Sequence, residues 1–410
     1  MGLTSETNSK AGLSGVTDRL VDHLEGSEET DSGQAYPQDT AAGDEIKQVV
    51  MFPDFTDGNP YQSELADVLE EAGMSVEVSD YGIFFSVIGE VRRRQLDVVH
   101  LHWVEDNFVC QSSVLTVIAG ICFILELLLL RALGVRVVWT AHNLSEHNSP
   151  SPKAEWMIRA VLTRVVHAII VHCEESKMAV IDSFLLERRA HQRVVIVPHG
   201  HYIDSYENEI SRDEARNQLG YTDQMVFLFF GRIRAYKNVP KVVESFKRLA
   251  APEARLLVVG NPFSEELEDE VQCRAAEDER IRTRLEYIPQ EEVQLYLNAA
   301  DALVINHSGP YIAGTAVLGM SFGRPMVSPD AGCLGELLSP AGNVQYSPDG
   351  EEGLTEALRR AMQTDLEVSG ENNEERAAQF DWQSIAHRTT AIYRGVQREE
   401  ISAVELSYST

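Results

Sequence analysis

From residue 46 onward, short apolar runs alternate with longer stretches whose apolar positions recur every three or four residues. The runs at 46–52, 75–78, 97–102, 135–141, 168–171 and 194–197 have the length and β-branched content of strands. After Pro198-His199-Gly200 the plan repeats, with strands expected at 226–230, 255–259, 285–288, 302–305, 325–328 and 343–346. Helical periodicity fills the intervals, for example at 61–72, 239–249 and 291–299. Near-continuous apolar strands separated by helices predict an α/β chain whose parallel sheets are covered on both faces. Two doubly wound halves follow, at 46–203 and 204–380, with a terminal helix at 381–396 and a tail at 397–410. In such sheets ligands meet the carboxyl ends of the strands, so the chemistry is expected in those loops, facing a cleft between the halves.

Two segments depart from this rhythm. Residues 1–45 have no hydrophobic period and read as a disordered acidic tail, and the first 30 hold no apolar stretch of the kind a secretory leader needs. Residues 114–130 form an apolar run broken only by Thr116 and Glu126. A membrane span needs about 20 apolar residues. This run is shorter, carries a charge, and leads through Gly134 into a strand of the same sheet, which excludes a span. Two readings stay open: a helix buried in the core, or a helix with one face on a membrane interface.

Charge changes the picture further. The 410 residues carry 64 Asp+Glu against 35 Lys+Arg, for a net charge of −29. Residues 1–45 hold ten acids and two bases, so −21 remains on the rest, and the acidity belongs to the whole surface. Such a balance excludes nucleic acid as a partner and excludes attachment to anionic lipid by charge alone. Only seven of the basic residues are Lys, and a carboxylate-rich, Lys-poor surface is expected of a halophilic protein, whose self-repulsion is screened by dense counterions. The five cysteines (110, 122, 173, 273, 333) are odd in number and form no Cys-x-x-Cys pair. Neither a disulfide framework nor a zinc site is expected, which points to a reducing cytoplasm.

Candidate chemistry begins at Phe230-Gly231-Arg232-Ile233-Arg234-Ala235-Tyr236-Lys237-Asn238, just after the first strand of the second half. Gly231 permits close backbone approach, and Arg232 and Lys237 flank the loop mouth. Two cations on a glycine turn suit a diphosphate, which Arg grips as a fork and Lys as a point charge. Further on, Gly314-Thr315 opens a helix whose free N–H groups attract an anion, while Gly323 ends that helix and Pro325 starts a strand.

Taken in order, these motifs resemble a known family. Gly231-Arg232 with Lys237-Asn238, Val258-Val259-Gly260-Asn261, Tyr287-Ile288-Pro289, Ala299-Ala300-Asp301, Gly314-Thr315 and Gly323-Arg324-Pro325 are similar to glycosyltransferases of the GT-B fold, family 4 type (group 1). The first half agrees through His100-Leu101-His102-Trp103, Trp139-Thr140-Ala141-His142-Asn143 and Val197-Pro198-His199-Gly200, and Phe380-Asp381-Trp382 fits the ending. The resemblance covers about residues 46–396. It implies two Rossmann-like domains facing across a cleft, an acceptor domain followed by a nucleotide-sugar donor domain. It implies that Arg232 and Lys237 hold the donor diphosphate and that the backbone around Gly260 and Ile288 frames the nucleobase. Gly314 and Thr315 would serve the distal phosphate, Gly58 would keep the first-domain loop clear of the donor, and His142 would stand at the sugar. No metal or other cofactor is implied, because cations and a helix dipole take that role. His100, His102, His147, His199 and His201 stand near strand ends, where a structural role is the commoner one.

One departure from the family matters. Where a Glu, seven residues and a second Glu are usual, this chain has Pro310 and Leu318, and Glu336 lies too far along to stand in for either. Donor identity and stereochemical outcome are therefore left open. The expected function is a cytoplasmic enzyme, with contact to the inner membrane face through 114–130, moving a sugar from a nucleotide diphosphate to a hydroxyl of a glycan or lipid-linked acceptor. The alternatives are a catalytically silent GT-B partner subunit and a nucleotide-sugar epimerase.

Overall fold

A computed structural model describes residues 46–79, 96–144, 149–307, 309, 311, 314–348, 350 and 353–395, which belong to one compact unit. The tails at 1–45 and 397–410, His147 and Pro310 lie outside the described residues.

The first half holds strands β1 (Gln48–Phe52), β2 (Ser75–Val78), β3 (Val98–Leu101), β4 (Arg136–Thr140), β5 (Ala168–Val171) and β6 (Val194–Ile196). They form one parallel sheet in the order β2-β1-β3-β4-β5-β6. The second half repeats this with β7 (Met225–Phe230), β8 (Ala254–Val259), β9 (Ile281–Arg284), β10 (Ala302–Val304), β11 (Met326–Pro329) and β12 (Val344–Tyr346), ordered β12-β11-β10-β7-β8-β9. Alternate residues of a strand feed opposite cores, as the pleat requires. Val50 and Phe52 join a cluster under the helices Ser113–Ala132 and Pro152–Val165, whereas Val49 and Met51 pack beneath the helix Tyr61–Glu71. Across the second sheet, Phe227 and Phe229 take one face and Val226, Leu228 and Phe230 the other. Each sheet is thus wrapped on both sides.

Three expectations need correction. The strand expected at 285–288 is β9 at Ile281–Arg284, an edge strand that, among the described residues, pairs only with β8. Its Arg282 and Arg284 hide it from a search for apolar runs, because an edge strand needs fewer buried side chains. The terminal helix, Trp382–Arg394, does not stand apart: Ile385, Ala386, Ile392 and Tyr393 complete the core of the first half. The Trp382 indole N–H donates to the His201 carbonyl at 2.8 Å, and its ring fills the space a side chain at Gly200 would need. Finally, Cys173 and Cys333 form a disulfide, with Cα atoms 5.9 Å apart. They are 160 residues apart in sequence, and only the meeting of the helix Glu174–Ser183 with the helix Gly332–Leu338 brings them together. Beside them the Glu336 carboxylate accepts the backbone N–H of Glu175 at 2.8 Å, capping a helix of the other half.

The 114–130 segment lies within the helix Ser113–Ala132, which is buried along one face only and so is not a wholly buried core helix. Ala119, Phe123, Leu127 and Leu130 are buried, each such large side chain stabilising the fold by about 1.5–3 kcal/mol. Gly120 lets this helix close on its neighbour, since a Cβ there would stand 2.2 Å from the Ile158 side chain. The opposite face is also apolar: Val114, Ile118, Ile121, Leu125 and Leu128 are all exposed, at helical spacing.

Candidate active site

The carboxyl ends of both sheets open onto a shared cleft of about 870 Å³. On the side of the second half, β7 ends in Gly231 at φ +104°, a backbone shape that suits glycine. A Cβ at that position would lie 3.1 Å from the Thr315 hydroxyl and 3.7 Å from the Lys237 ammonium. Three elements thus converge on one point: the end of β7, the turn Ala235–Lys237, and the first residues of the helix Gly314–Ser321. Asn238 adopts the left-handed conformation that ends this turn, and its carbonyl accepts the Asn306 amide at 3.1 Å. The Tyr346 hydroxyl donates to Asn306 at 2.8 Å, so β12 holds the lysine turn through a polar chain.

The electrostatics suit an anion. Burial, with help from the neighbouring charges of Arg234 and Arg232, pushes the Lys237 ammonium down to about 8. Among the described residues neither Arg232 nor Lys237 forms an ion pair, although the chain has acids in excess. From the first half, Gly58 comes close enough that a Cβ would stand 3.3 Å from an Arg232 nitrogen. Gly58, Gly231, Arg232, Lys237, Gly314, Thr315 and His142 all border the cleft. Gly260 and Ile288 do not: Gly260 packs against the Gly231 carbonyl, where a Cβ would come within 2.0 Å, and Ile288 is buried in the core. Leu318, at the second of the usual acid positions, borders the cleft as an apolar side chain.

The wall from the first half contains residues that sequence reasoning passed over. Glu105 and Asp106 lie in the turn Val104–Asn107, and both border the cleft. Glu105 is locked: it accepts Arg159 at 2.9 Å and the Asn143 amide at 2.8 Å, while Arg159 also bonds Glu155 at 3.0 Å. Asp106 is exposed to the cleft. No spacing rule could have drawn 105, 143 and 159 together, because they come from three separate loops and helices.

His142 on this wall heads a cluster of five histidines: His102, His142, His172 and His199 lie around the Tyr61 ring, and His100 packs against His102. His100 bonds the Tyr393 hydroxyl and Thr140, both at 2.7 Å. His172 and His199 each donate Nδ1–H to a backbone carbonyl at 2.9 Å. Burial holds all five neutral, pushing His100 and His199 down to about 3 and His172 to about 4.

Comparisons with known proteins agree with this geometry. Residues 224–364, the stretch from β7 to the helix after β12, match the family described as Glycosyl transferases group 1. The chain is similar to GT-B glycosyltransferases of group 1. Over 271 residues, 66% of this chain and 70% of the relative, this glycosyltransferase is 28% identical to a GDP-mannose:glycolipid 4-beta-D-mannosyltransferase of Xanthomonas campestris. It is 23% identical to a D-inositol 3-phosphate glycosyltransferase of Geodermatophilus obscurus, over 66% of this chain and 63% of that one. In fold it resembles the sucrose-phosphate synthase of Thermosynechococcus elongatus, with a TM-score of 0.68 at 16% identity over 86% of this chain and 99% of that one. Anabaena HepE in complex with UDP and glucose gives 0.65, also at 16% identity, over 86% of this chain and 100% of that one.

The histidine cluster generates a pH prediction. Each histidine stays neutral in the folded glycosyltransferase but takes a proton near pH 6.5 when unfolded. Stability is therefore complete above pH 6.5 and falls as the pH drops toward 4, because the unfolded state then binds more protons. Melting curves at constant salt should show the midpoint dropping steeply between pH 7 and pH 5; a level midpoint over that range would contradict the neutral cluster.

Proposed function

We propose that this glycosyltransferase moves a sugar from a nucleoside diphosphate to a hydroxyl of a lipid-linked or glycan acceptor, without a metal ion. The observation that carries this reading is the convergence of Lys237 and Thr315 on Gly231, with Arg232 alongside, at the floor of a cleft shared by both halves. In the reaction the acceptor oxygen bonds to the anomeric carbon. The bond from that carbon to the diphosphate oxygen breaks with its electron pair, and the hydroxyl proton leaves to a base. Arg232, Lys237 and the N–H groups at Gly314 and Thr315 stabilise the negative charge growing on the leaving diphosphate, the task a metal ion performs elsewhere. Asp106, exposed on the opposite wall, is the carboxylate we assign as base. His142, on that same wall, serves the sugar. The Xanthomonas relative acts by name on a glycolipid, which supports a lipid-linked acceptor here.

Losing a charge-assisted contact costs about 1.5–3 kcal/mol, and part of this loss falls on the transition state. Lys237→Ala should lower kcat by about ten-fold or more, and Arg232→Lys should recover activity only in part, because an ammonium lacks the guanidinium fork. Nucleotide release from a panel of nucleotide sugars, with EDTA present, is the assay. Wild-type turnover in Lys237→Ala would remove the β7 loop from the mechanism, and a requirement for added metal would overturn the metal-free reading. Nucleotide binding without turnover by the wild type would favour a silent subunit.

The exposed stripe of the helix Ser113–Ala132 supports peripheral docking on a membrane, with Met157 and Val161 of the neighbouring helix extending it. Ile121→Asp or Leu125→Asp should reduce co-sedimentation with lipid vesicles while the fold survives, whereas Leu127→Asp should destabilise the fold itself. Wild-type protein that stays in solution with vesicles present would end the docking proposal. We assign the protein to the cytoplasm, on the inner membrane face. Cys110, Cys122 and Cys273 remain thiols, and the ends of the Cys173–Cys333 bond are buried away from reductants.

The acid excess supports a halophilic enzyme. Its melting temperature should rise as KCl is added from dilute buffer to molar concentrations, through screening of surface carboxylates. An unchanged midpoint would count against salt adaptation.

A further inference from the structure

The contacts of His142 define more than its place on the cleft wall. Its Nε2 lies 3.1 Å from Nδ1 of His102, the residue that follows β3 by one position. Trp103 lies flat against the ring of His142, with centroids 4.2 Å apart and planes 10° from parallel. The ring is fixed in plane by stacking and in rotation by one hydrogen bond. Its remaining nitrogen, Nδ1, has no protein partner among the described residues and is the one left to meet a ligand. His102 itself is fully buried, and its Nε2 has no hydrogen-bond partner.

Both rings are neutral, held so by burial and by their histidine neighbours, so one proton lies between them. Only two arrangements satisfy this. If His142 donates from Nε2, then His102 must carry its proton on Nε2, leaving an N–H buried without an acceptor. If His102 donates from Nδ1, its Nε2 keeps only an unused lone pair. Buried N–H groups without acceptors are rarer than under-used acceptors. The second arrangement is selected, and it leaves the proton of His142 on Nδ1, facing the cleft.

We propose that His102 is a positioning residue that locks His142 in the Nδ1–H tautomer, making His142 a hydrogen-bond donor to an oxygen of the donor sugar or of the leaving phosphate. Nδ1 then has no lone pair to offer the acceptor hydroxyl, in keeping with a carboxylate base on the same wall. The proposal deepens the glycosyltransfer reading and rests on it for the ligand, while the tautomer itself belongs to the ligand-free protein.

The first test is nitrogen-15 NMR of the full chain labelled at histidine, at pH 7 and in salt, with the His142 signals identified from a His142→Gln sample. His142 should carry its proton on Nδ1, against the Nε2 preference of free imidazole side chains. A proton on Nε2 would overturn the proposal whether or not any nucleotide sugar is turned over. The second test uses His102→Asn, whose amide can donate from about the position of Nδ1, and His102→Leu, which cannot donate. His102→Leu should lose ten-fold or more in kcat with nucleotide affinity unchanged, and should shift His142 toward the Nε2–H form. His102→Asn should recover most of the turnover and the Nδ1–H signal. Equal turnover in His102→Leu and wild type would overturn the positioning role. Should His102→Leu fail to fold, the wild-type tautomer and the Asn variant decide the matter. A wild type that turns over no nucleotide sugar would sink the glycosyltransfer reading instead, leaving the tautomer result standing.

Discussion

Positive charge packed closely at one strand end is the constraint on which the second half depends. Arg232, Arg234 and Lys237 crowd the end of β7 strongly enough that burial and mutual repulsion push Lys237 down to about 8. In a chain with a net charge of −29, acids are plentiful, yet neither Arg232 nor Lys237 is neutralised by one among the described residues. The unbalanced charge is tolerated because the scaffold around it is stiff: Gly260 packs on the Gly231 carbonyl, and Asn306 ties the Asn238 turn to Tyr346. A bound anion would relieve the repulsion.

The first half meets the opposite requirement. Its wall sets the carboxylates Glu105 and Asp106 beside histidines that stay neutral, since burial costs them their charge but not their hydrogen bonds. The terminal helix enters this arrangement directly. Tyr393 bonds His100, and Trp382 packs on Gly200, so the helix Trp382–Arg394 buttresses the histidines behind the cleft wall.

The two halves are joined by contacts of different kinds. The helix Trp382–Arg394 returns to the first half, Tyr202 donates its hydroxyl to Asn59 at 2.9 Å, and Glu336 caps the helix Glu174–Ser183 beside the Cys173–Cys333 bond. Because each wall of the cleft comes from a different half, these ties fix which residues face one another. On the outer surface, the apolar stripe of Ser113–Ala132 belongs to the first half.

The sequence alone determined the alternation of strands and helices, and with it the two parallel sheets, because buried parallel strands must be apolar along their whole length. It also carried the cationic loop after β7, since a glycine at a strand end followed by Arg and Lys is a local pattern with a local physical reason. What it could not carry was everything set by distance in space. Ile281–Arg284 was hidden because an edge strand alternates with charge. Cys173 and Cys333 read as unpaired because 160 residues separate them, and the packing of Gly260 on Gly231 could not be read from its motif. The Glu105–Arg159–Asn143 lock and the histidine cluster also waited on the fold. Each joins side chains from separate strands, and hydrogen bonds between such groups leave no spacing along the chain by which to recognise them.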